Sequence, residues 1–524
     1  MRQRPTAEKL AHYGPAALLG LALAAWLFPA EFLFPRAGLD WRPVGDAAQH
    51  AIAQRHFLAA PWSWPLLAVP TLGGANLAFM DGIPALALAL KPFEGPAGFH
   101  AVGLFYALAW AGQGVAAVFA ARGFGLRGWL PALSVAVLAL SMPAFILRYG
   151  HAALTGHALI LLALGLYPRL LRDARWWAAA VALQLLALLT HPYLALMVLA
   201  MLAAVPVTLV LRGGAWVRAG LGLVAAAGAM GGAMLGLGYL GAQGDGGYGQ
   251  FALNLLAPVW PRHSLFLGWL APDDVSATGH SGWEGYNWLG LGLWAAILAA
   301  LRLNRAALGA ALRRHPGLAL AALGCVAVAV SFRVGFGPWV LLDLGPAPGV
   351  LEQFRTSGRF FWPVAYLLLL AAAVALARAG RRGVIALAAC AALQFADAAP
   401  MRAGLAAWAG ERAAWTIPAD RLRPVLAEAR AHTLFPSWAC IPEADWRDRV
   451  RLLEVLLLAS ETPRPVNTMY VARWRDPPRC DDAAAMAAPI ASGEVRIALS
   501  VAAPALAAAQ PGRCSELGEL LVCR

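Results

Sequence analysis

Residues 193–211 read YLALMVLAMLAAVPVTLVL, a run without a single charged side chain. A helix of about 20 such residues matches the apolar core of a lipid bilayer, which is roughly 30 Å thick. Outward from this run the chain meets His191-Pro192 on one side and Arg212 on the other, and then further apolar runs of similar length in both directions. The repetition of these runs predicts a multi-pass membrane protein.

The composition of the 524-residue chain supports the same class, because 60% of its residues are hydrophobic and only 13% are charged. Soluble domains carry about 25% charged residues, so an ordinary soluble domain is excluded. The 21 Trp and 20 Phe residues exclude a disordered chain. The net charge of +13 comes almost entirely from arginine. In a membrane protein such an excess reports orientation first, and no nucleic-acid partner is expected.

We predict an all-α bundle of about eleven membrane-spanning helices. Their approximate ranges are 13–34, 97–121, 129–147, 152–170, 176–190, 193–211, 219–241, 286–303, 316–335, 362–378 and 383–399. Arginines concentrate in the short loops on one side, for example Arg169, Arg172 and Arg175. The positive-inside rule then places the N-terminus in the cytoplasm, and an odd number of spans places the C-terminal part outside.

The domain boundary is predicted near residue 400. Residues 1–400 form the transmembrane domain, with large outer loops at 35–96, 242–285 and 331–361, and residues 401–524 form a small α/β extracytoplasmic domain with a strand near 495–501. Cysteine placement agrees with export of this tail. Four cysteines follow the last span, at positions 440, 480, 514 and 523. An even set in an exported domain predicts two disulfides.

The pairing of these cysteines is open among three arrangements, and sequence proximity favours Cys440–Cys480 together with Cys514–Cys523. Cys325 and Cys390 fall inside apolar spans and are predicted to be small core residues. A disulfide-bonded tail outside a multi-pass domain fits a bacterial inner membrane with a periplasmic C-terminal domain.

The first outer loop carries two carboxylates that we take as catalytic candidates. In the hexapeptide GDAAQH (45–50), Asp46 and His50 have the i, i+4 spacing that places both on one helical face. Asp81 precedes a short apolar segment, 83–90, that cannot span a membrane. Each aspartate could instead be an ordinary helix N-cap, since Asp is favoured there, and this alternative stays open.

Ten residues in outer segments are candidates for binding a substrate. They are His50, Arg148, His151, His157, His191, Tyr193, Glu284, Arg355, Ser357 and Arg359. The spacing of six between His151 and His157 does not place them on one helical face, so no metal site built from these two is expected. The outer histidines are predicted to bind loop backbone or an anionic ligand.

In the loop at 331–361, two of the three arginines, Arg355 and Arg359, lie next to an aromatic run on the outer side, against the topology bias. The guanidinium forks of Arg355 and Arg359 suit phosphate oxygens, and the flanking aromatic rings suit a lipid chain. The alternatives are an ion pair with Glu352 or general headgroup contact. The loop at 242–285, rich in Gly and aromatic residues, suits either sugar stacking or a flexible lid.

Four stretches carry a family resemblance. They read GDAAQH (45–50), RYGH (148–151), HPY (191–193) and FRTSGRFFWP (354–363). With two short helices in the first outer loop, about eleven spans and an extracytoplasmic C-terminal domain, the chain resembles the GT-C class of integral-membrane glycosyltransferases. More closely, it resembles an uncharacterised bacterial multi-pass family of that class, over roughly residues 10–400. The resemblance implies that Asp46, and less directly Asp81, acts as base or metal ligand.

The function implied by this resemblance is inverting transfer of a sugar from a polyprenyl-phosphate donor to a glycan or lipid acceptor of the envelope. Asp46 would be the base and Arg355 and Arg359 the phosphate clamp, with His151 or His191 assisting. No cofactor is expected, because the ligand count does not support a divalent ion between Asp46 and Asp81.

Two other functions were weighed against glycosyl transfer. A lipid or polysaccharide translocase would need a polar path through the spans, and the scarcity of charge there disfavours it. A non-catalytic protein of envelope assembly is the third hypothesis.

Overall fold

The computed structural model of the protein describes residues 13–34, 45–93, 98–244, 246–271, 273, 284–412, 414–476 and 480–524. The helices before residue 411 are, in chain order, α1 (Tyr13–Leu27), α2 (Ala30–Leu33), α3 (Asp46–Ala59), α4 (Pro84–Leu90), α5 (Val102–Gly123), α6 (Trp129–Leu140), α7 (Pro143–Ile146), α8 (Ala158–Leu170), α9 (Trp177–Thr190), α10 (Pro192–Leu211), α11 (Val217–Gly236), α12 (Leu291–Arg314), α13 (Pro316–Val330), α14 (Trp362–Arg378), α15 (Gly380–Asp397) and α16 (Ala399–Gly410). This part of the chain is a helical bundle, as predicted.

Six helical stretches within the described residues are long and apolar enough to cross a membrane. They are Val102–Gly123, Ala152–Leu170, Pro192–Leu211, Val217–Gly236, Leu291–Arg314 and Ser357–Arg378. A seventh candidate is the pair α15 and α16, which is bent by 46°. Four further apolar helices are shorter, namely Tyr13–Leu27, Trp129–Leu140, Ala174–Thr190 and Pro316–Val330. The helices are compatible with a multi-pass membrane protein, but the predicted count of eleven spans is not confirmed. A helix of about 15 residues measures only about 22 Å, short of the bilayer core.

The break between α9 and α10 has a local cause in the sequence. A residue before proline avoids the helical region, and His191 accordingly has extended backbone angles, φ −163° and ψ 134°. Pro192 then occupies the first turn of α10, where its missing N–H costs nothing. His191 is the N-cap of α10, and its Nδ1 atom accepts the backbone N–H of Tyr193 at 3.1 Å.

The 45–93 segment, which is the described part of the first outer loop, contains the two predicted short helices, α3 and α4. Between them lies a two-stranded ladder of β1 (Ala68–Val69) and β2 (Ala75–Asn76). Neither candidate aspartate is the N-cap of an α-helix, although Asp81 ends the short 3-10 helix Leu77–Met80 through its backbone N–H. The N-cap of α3 is Gly45 and the N-cap of α4 is Ile83. The capping alternative for Asp46 and Asp81 is therefore not observed, and both carboxylates are available for other contacts.

The loop after α13 contains an antiparallel hairpin that the sequence analysis did not predict. Its strands are β3 (Arg333–Phe336) and β4 (Trp339–Asp343). Every residue of β4 is exposed, although the strand is mostly apolar. The alternating apolar residues and the turn at Gly337 were the available signal.

The C-terminal domain is built on a four-stranded sheet in the order β5-β6-β8-β7. Its strands are β5 (Ala431–Phe435), β6 (Glu494–Ala498), β7 (Cys514–Leu517) and β8 (Leu520–Cys523), and its helices are α17 (Ala419–Glu428), α18 (Trp446–Ala459), α19 (Ala483–Ala487) and α20 (Ala503–Ala509). β5 and β6 are parallel, whereas β8 is antiparallel to both of its neighbours. The predicted small α/β domain is thus present, and β6 (Glu494–Ala498) overlaps the predicted strand at 495–501.

Both favoured disulfides are present, Cys440–Cys480 and Cys514–Cys523. Cys514 and Cys523 face each other across the β7–β8 ladder. Cys325 and Cys390 are free thiols buried in the helical bundle, as predicted.

A segment of the C-terminal domain, residues 466–475, returns to the first outer loop. The backbone N–H of Val466 donates to Thr71 O, and that of Ala472 donates to Phe79 O, each at 2.8 Å. Trp474 exchanges two backbone hydrogen bonds with Gln243. The 466–475 segment therefore connects the C-terminal domain to the helical bundle. It packs against the loop that carries Asp46 and Asp81.

Candidate functional site

Asp46 is the first helical residue of α3, directly after Gly45, whose positive φ of 55° sets the turn into the helix. The hydroxyl of Tyr470 donates to Asp46 Oδ1 at 3.0 Å. The other oxygen, Oδ2, lies 3.4 Å from His151 Nε2. The side chain is nevertheless 32% exposed. Asp46 is therefore oriented by two partners and still accessible to a ligand.

Glu284 is the centre of a buried ion cluster. Its Oε2 atom accepts hydrogen bonds from Arg148 Nη1 at 2.6 Å and from Arg359 Nη2 at 2.8 Å. Its Oε1 atom lies 2.9 Å from His151 Nε2. Burial raises the pKa of Glu284, but the two guanidinium groups outweigh this effect and hold the pKa well below its usual range. Glu284 thus joins three predicted ligand-binding residues, and its arginine partners favour the charged carboxylate.

His151 lies between two carboxylates and links them. Burial alone would lower the pKa of its imidazole, but Asp46 and Glu284 outweigh burial and raise the pKa above its usual value. The ring therefore connects the exposed Asp46 to the buried Glu284. The sequence analysis allowed a hydrogen bond from His151 to loop backbone. In the structure the Nε2 atom of His151 instead faces the carboxylates of Asp46 and Glu284.

Asp81 has a left-handed backbone, with φ 48°, and its side chain faces two histidines. Its Oδ1 atom lies 3.5 Å from His191 Nε2, and its Oδ2 atom lies 3.8 Å from His50 Nε2. Because His191 Nδ1 accepts the N–H of Tyr193, the neutral His191 ring carries its proton on Nε2, towards Asp81. Burial raises the pKa of Asp81, but the two histidines lower it well below its usual range.

The stretches at 191–193 and 354–363 meet at Tyr193. The guanidinium of Arg359 lies 5.1 Å from the centre of the Tyr193 ring, and the Tyr193 hydroxyl accepts the backbone N–H of Thr356 at 3.1 Å. Phe354 and Phe360 pack against the same ring. This aromatic packing fixes the position of Arg359 beside Glu284.

Arg359 and Arg355, predicted to act together as a phosphate clamp, lie in different surroundings. Arg359 is buried and its guanidinium is engaged by Glu284. Arg355 is exposed, with its guanidinium 5.6 Å from the centre of the Phe251 ring. Glu352 accepts the N–H groups of Gly247 and Tyr248, so the alternative ion pair between Glu352 and Arg355 is not observed. Only Arg355 of the pair is accessible to an anionic ligand.

Two predicted ligand-binding residues lie outside this cluster. His157 is fully buried, its Nδ1 atom lies 2.7 Å from the Tyr366 hydroxyl, and its ring lies 4.2 Å from that of Trp362. The hydroxyl of Ser357 donates to Ala329 O at 3.1 Å. Both side chains hold helices of the bundle together. The remaining predicted site residues converge, apart from Arg355 at the edge.

Sequence reasoning missed the contribution of the C-terminal domain. Tyr470 binds Asp46, and its ring stacks on Trp438 at 4.3 Å. The side chain of Gln49 donates to Tyr470 O at 2.9 Å. Arg473 donates to the side chain of Gln353 at 2.6 Å. No motif marks these positions, and only the return of the 466–475 segment brings them to the site.

Three donor residues of the cluster are close enough to share a metal ion. One ligand atom each of His50, Asp81 and His151 lies within 4.8 Å of the others. This group differs from the pair of Asp46 and Asp81, between which the sequence analysis considered a divalent ion that the ligand count does not support. This group contains two imidazoles, whereas a pair of aspartates offers only carboxylate oxygens, and imidazole and carboxylate ligands suit different metal ions.

These features describe a mostly helical protein whose apolar helices are compatible with a multi-pass membrane protein and whose ionisable groups gather in its loops. Residues 17–399 match the family model described as Domain of unknown function (DUF6311), and residues 421–524 match the DUF6311 C-terminal domain. The first match covers well over half of the chain, so the protein belongs to the DUF6311 family. No curated protein and no solved structure matches the chain.

Proposed function

We propose that the protein is an inverting glycosyltransferase of the GT-C type. It moves a sugar from a polyprenyl-phosphate donor to a glycan or lipid acceptor at the periplasmic face of a bacterial inner membrane. In this proposal the four shorter apolar helices also cross the membrane, the N-terminus is cytoplasmic and the C-terminal domain is periplasmic. The observation that carries the proposal is the convergence of Asp46, Asp81 and Glu284 with arginine and histidine side chains from separate loops.

Asp46 is the base in this reaction. A carboxylate has about four lone-pair positions, so its contacts with Tyr470 and His151 leave room for the proton of an acceptor hydroxyl. The hydroxyl oxygen attacks the anomeric carbon, and the bond from that carbon to the phosphate oxygen breaks. The phosphate leaves with the electron pair and needs no strong acid, only nearby positive charge.

Arg355 supplies this positive charge at the exposed edge of the site. Within the described part of the chain it forms no ion pair, and its guanidinium lies against an aromatic ring that suits an isoprenoid chain. Arg148 and Arg359 are neutralised in part by Glu284, so they position the carboxylates and do not bind the leaving group. The proposal therefore replaces the predicted clamp of two arginines with phosphate binding by Arg355 alone.

Arg355→Ala is expected to raise the KM for the polyprenyl-phosphate donor roughly tenfold or more, because a charge-assisted hydrogen bond to phosphate is lost. The melting temperature should stay unchanged, since the side chain is exposed. The measurement is initial rate against donor concentration in proteoliposomes. Arg333→Ala, which removes another exposed arginine of the same loop, is the matched control. Equal donor KM values for the two variants would remove Arg355 from the donor site.

Tyr470→Phe is expected to lower kcat roughly tenfold with little change in donor KM, because the variant loses only the hydroxyl that orients Asp46. The stacking of the ring on Trp438 is retained. Tyr248→Phe is the control, since that hydroxyl donates to the backbone carbonyl of Val328 instead of to a site carboxylate. An equal loss of kcat in both variants would show that Tyr470 has no special role.

The proposed activity is tested with the purified full chain in proteoliposomes that contain a radiolabelled polyprenyl-phosphate sugar. Transfer of label to an added lipid or glycan acceptor fraction, lost in Asp46→Asn, is the expected result. Movement of labelled donor across the bilayer without transfer would support a translocase instead. If a panel of donor sugars and acceptors gives no transfer and no movement of donor, the result would support the envelope-assembly hypothesis.

A further inference from the structure

The residues His50, Asp81 and His151 form a group of metal-type donors, and the proposed sugar chemistry assigns no metal ion to them. They come from three separate places, which are α3, the turn before α4, and the segment that follows α7. Their ligand atoms lie within 4.8 Å of one another, and His50 Nε2 is 3.8 Å from Asp81 Oδ2. Two ligands of a tetrahedral ion about 2.1 Å away are roughly 3.4 Å apart. Small side-chain movements would therefore close the group around an ion.

The burial of His50 is an independent observation that points to a ligand. The residue is 0% exposed, and neither ring nitrogen has a hydrogen-bond partner among the residues that the structure describes. Nδ1 of His151 is also buried without a partner in the described part of the chain. Buried polar atoms are almost always satisfied by a partner. Because one ligand atom each of His50, Asp81 and His151 lies within 4.8 Å of the others, a single cation would bind all three residues at once.

The groups behind these donors have the arrangement that accompanies metal-binding histidines. Such a histidine usually donates its other ring N–H to a carboxylate, which fixes the tautomer and the ring orientation. His151 Nε2 lies 2.9 Å from Glu284 Oε1, and this leaves the lone pair on Nδ1. Glu284 is in turn held by Arg148 and Arg359. Glu284 and its two arginines thus give His151 the hydrogen-bonded carboxylate partner that a metal-binding histidine usually has.

The donor types decide which ion fits. Carboxylate and carbonyl oxygens suit Mg²⁺ and Ca²⁺, whereas imidazole nitrogen suits Zn²⁺ and its transition-metal neighbours. Two imidazoles and one carboxylate are also the ligand set of catalytic zinc sites that keep one position open. We infer that His50, Asp81 and His151 bind one transition-metal ion of the Zn²⁺ type, with an open position beside Asp46. This inference goes beyond glycosyl transfer and does not depend on it.

The test is direct Zn²⁺ binding to the full chain, purified in detergent through a tag without histidines and stripped with a chelator. Competition with a chromophoric chelator should give one equivalent of bound Zn²⁺ in the unaltered protein. Asp81→Asn should weaken binding at least about 100-fold, which is the upper end of the loss seen when a supporting residue is removed. A millimolar excess of Mg²⁺ should not displace the zinc.

The Asp81→Asn variant keeps the shape of the side chain, and Asn tolerates the left-handed backbone found there. It is therefore suited to a buried site where His50→Ala could also disturb packing. His315→Ala is the control, because His315 packs between Phe124 and Tyr167 at the start of α13. No stoichiometric zinc in the unaltered protein, equal affinity in Asp81→Asn, or ready displacement by Mg²⁺ would each overturn the inference. Zinc binding without sugar transfer would reject only the proposed function.

Discussion

Asp46→Asn is expected to lower the rate of sugar transfer by about 10²- to 10⁴-fold, the contribution of a well-placed general base. The amide keeps the size of the carboxylate and can still accept the Tyr470 hydroxyl, so the fold should be retained. What the variant loses is a group that can take the acceptor's proton. Donor binding should change little, because the leaving phosphate is bound elsewhere in the proposed site.

The measurement is single-turnover transfer in proteoliposomes at saturating donor, with protein amount and melting temperature checked in parallel. Asp343→Asn is the matched control, since Asp343 lies on the same predicted face but is 56% exposed and forms a surface ion pair with Arg333. A rate within a factor of two or so of the unaltered protein would exclude Asp46 as the base. Transfer would then require another carboxylate, with Asp81 the first to examine.

Glu284→Gln is expected to lower the free energy of unfolding by about 3–5 kcal/mol, the cost of leaving a buried charge without its partner. Arg148 and Arg359 are both buried and both hydrogen-bond to one oxygen of Glu284. The neutral amide removes the charge that both arginines share. This is the largest stability effect that the described contacts of the cluster predict.

This free energy is measured by titrating the purified protein in mild detergent with a denaturant and monitoring its unfolding. Asp343→Asn should lose less than about 1 kcal/mol, because exposed ion pairs contribute little. Combining Glu284→Gln with Arg148→Met should cost less than the sum of the two single changes, since they act on one ion cluster. Additive losses, or a Glu284→Gln protein as stable as the control, would contradict the ion-cluster interpretation.

The helical bundle could be predicted because each segment in a bilayer must satisfy its backbone internally and present apolar side chains to lipid. That requirement makes a run such as 193–211 unmistakable in sequence. The same requirement does not decide whether α1, α6 or α13 crosses the membrane, because these helices are apolar but shorter than the bilayer core. Length depends on where a helix meets its neighbours, so the number of spans could not be fixed from apolar runs alone.

The sequence singled out most of the residues that the structure brings together in the candidate site, but it did not indicate their contacts. Local spacing placed Asp46 and His50 on one helix, yet His50 faces Asp81 and Asp46 faces Tyr470. These partners are far apart in the chain, and helical periodicity carries no information about such pairs. The ion pair of Arg359 with Glu284 joins two loops in the same way. Its formation removes Arg359 from phosphate binding, which no motif could reveal.

The return of the 466–475 segment also sets an order for the assembly of the protein. The ribosome synthesises Asp46, His151 and Glu284 well before it reaches Tyr470. The hydroxyl that orients Asp46 arrives only when the C-terminal domain has folded against the earlier loops. A nascent chain that is still emerging therefore holds an unfinished cluster, and completion of the polypeptide is the step that makes the proposed enzyme competent.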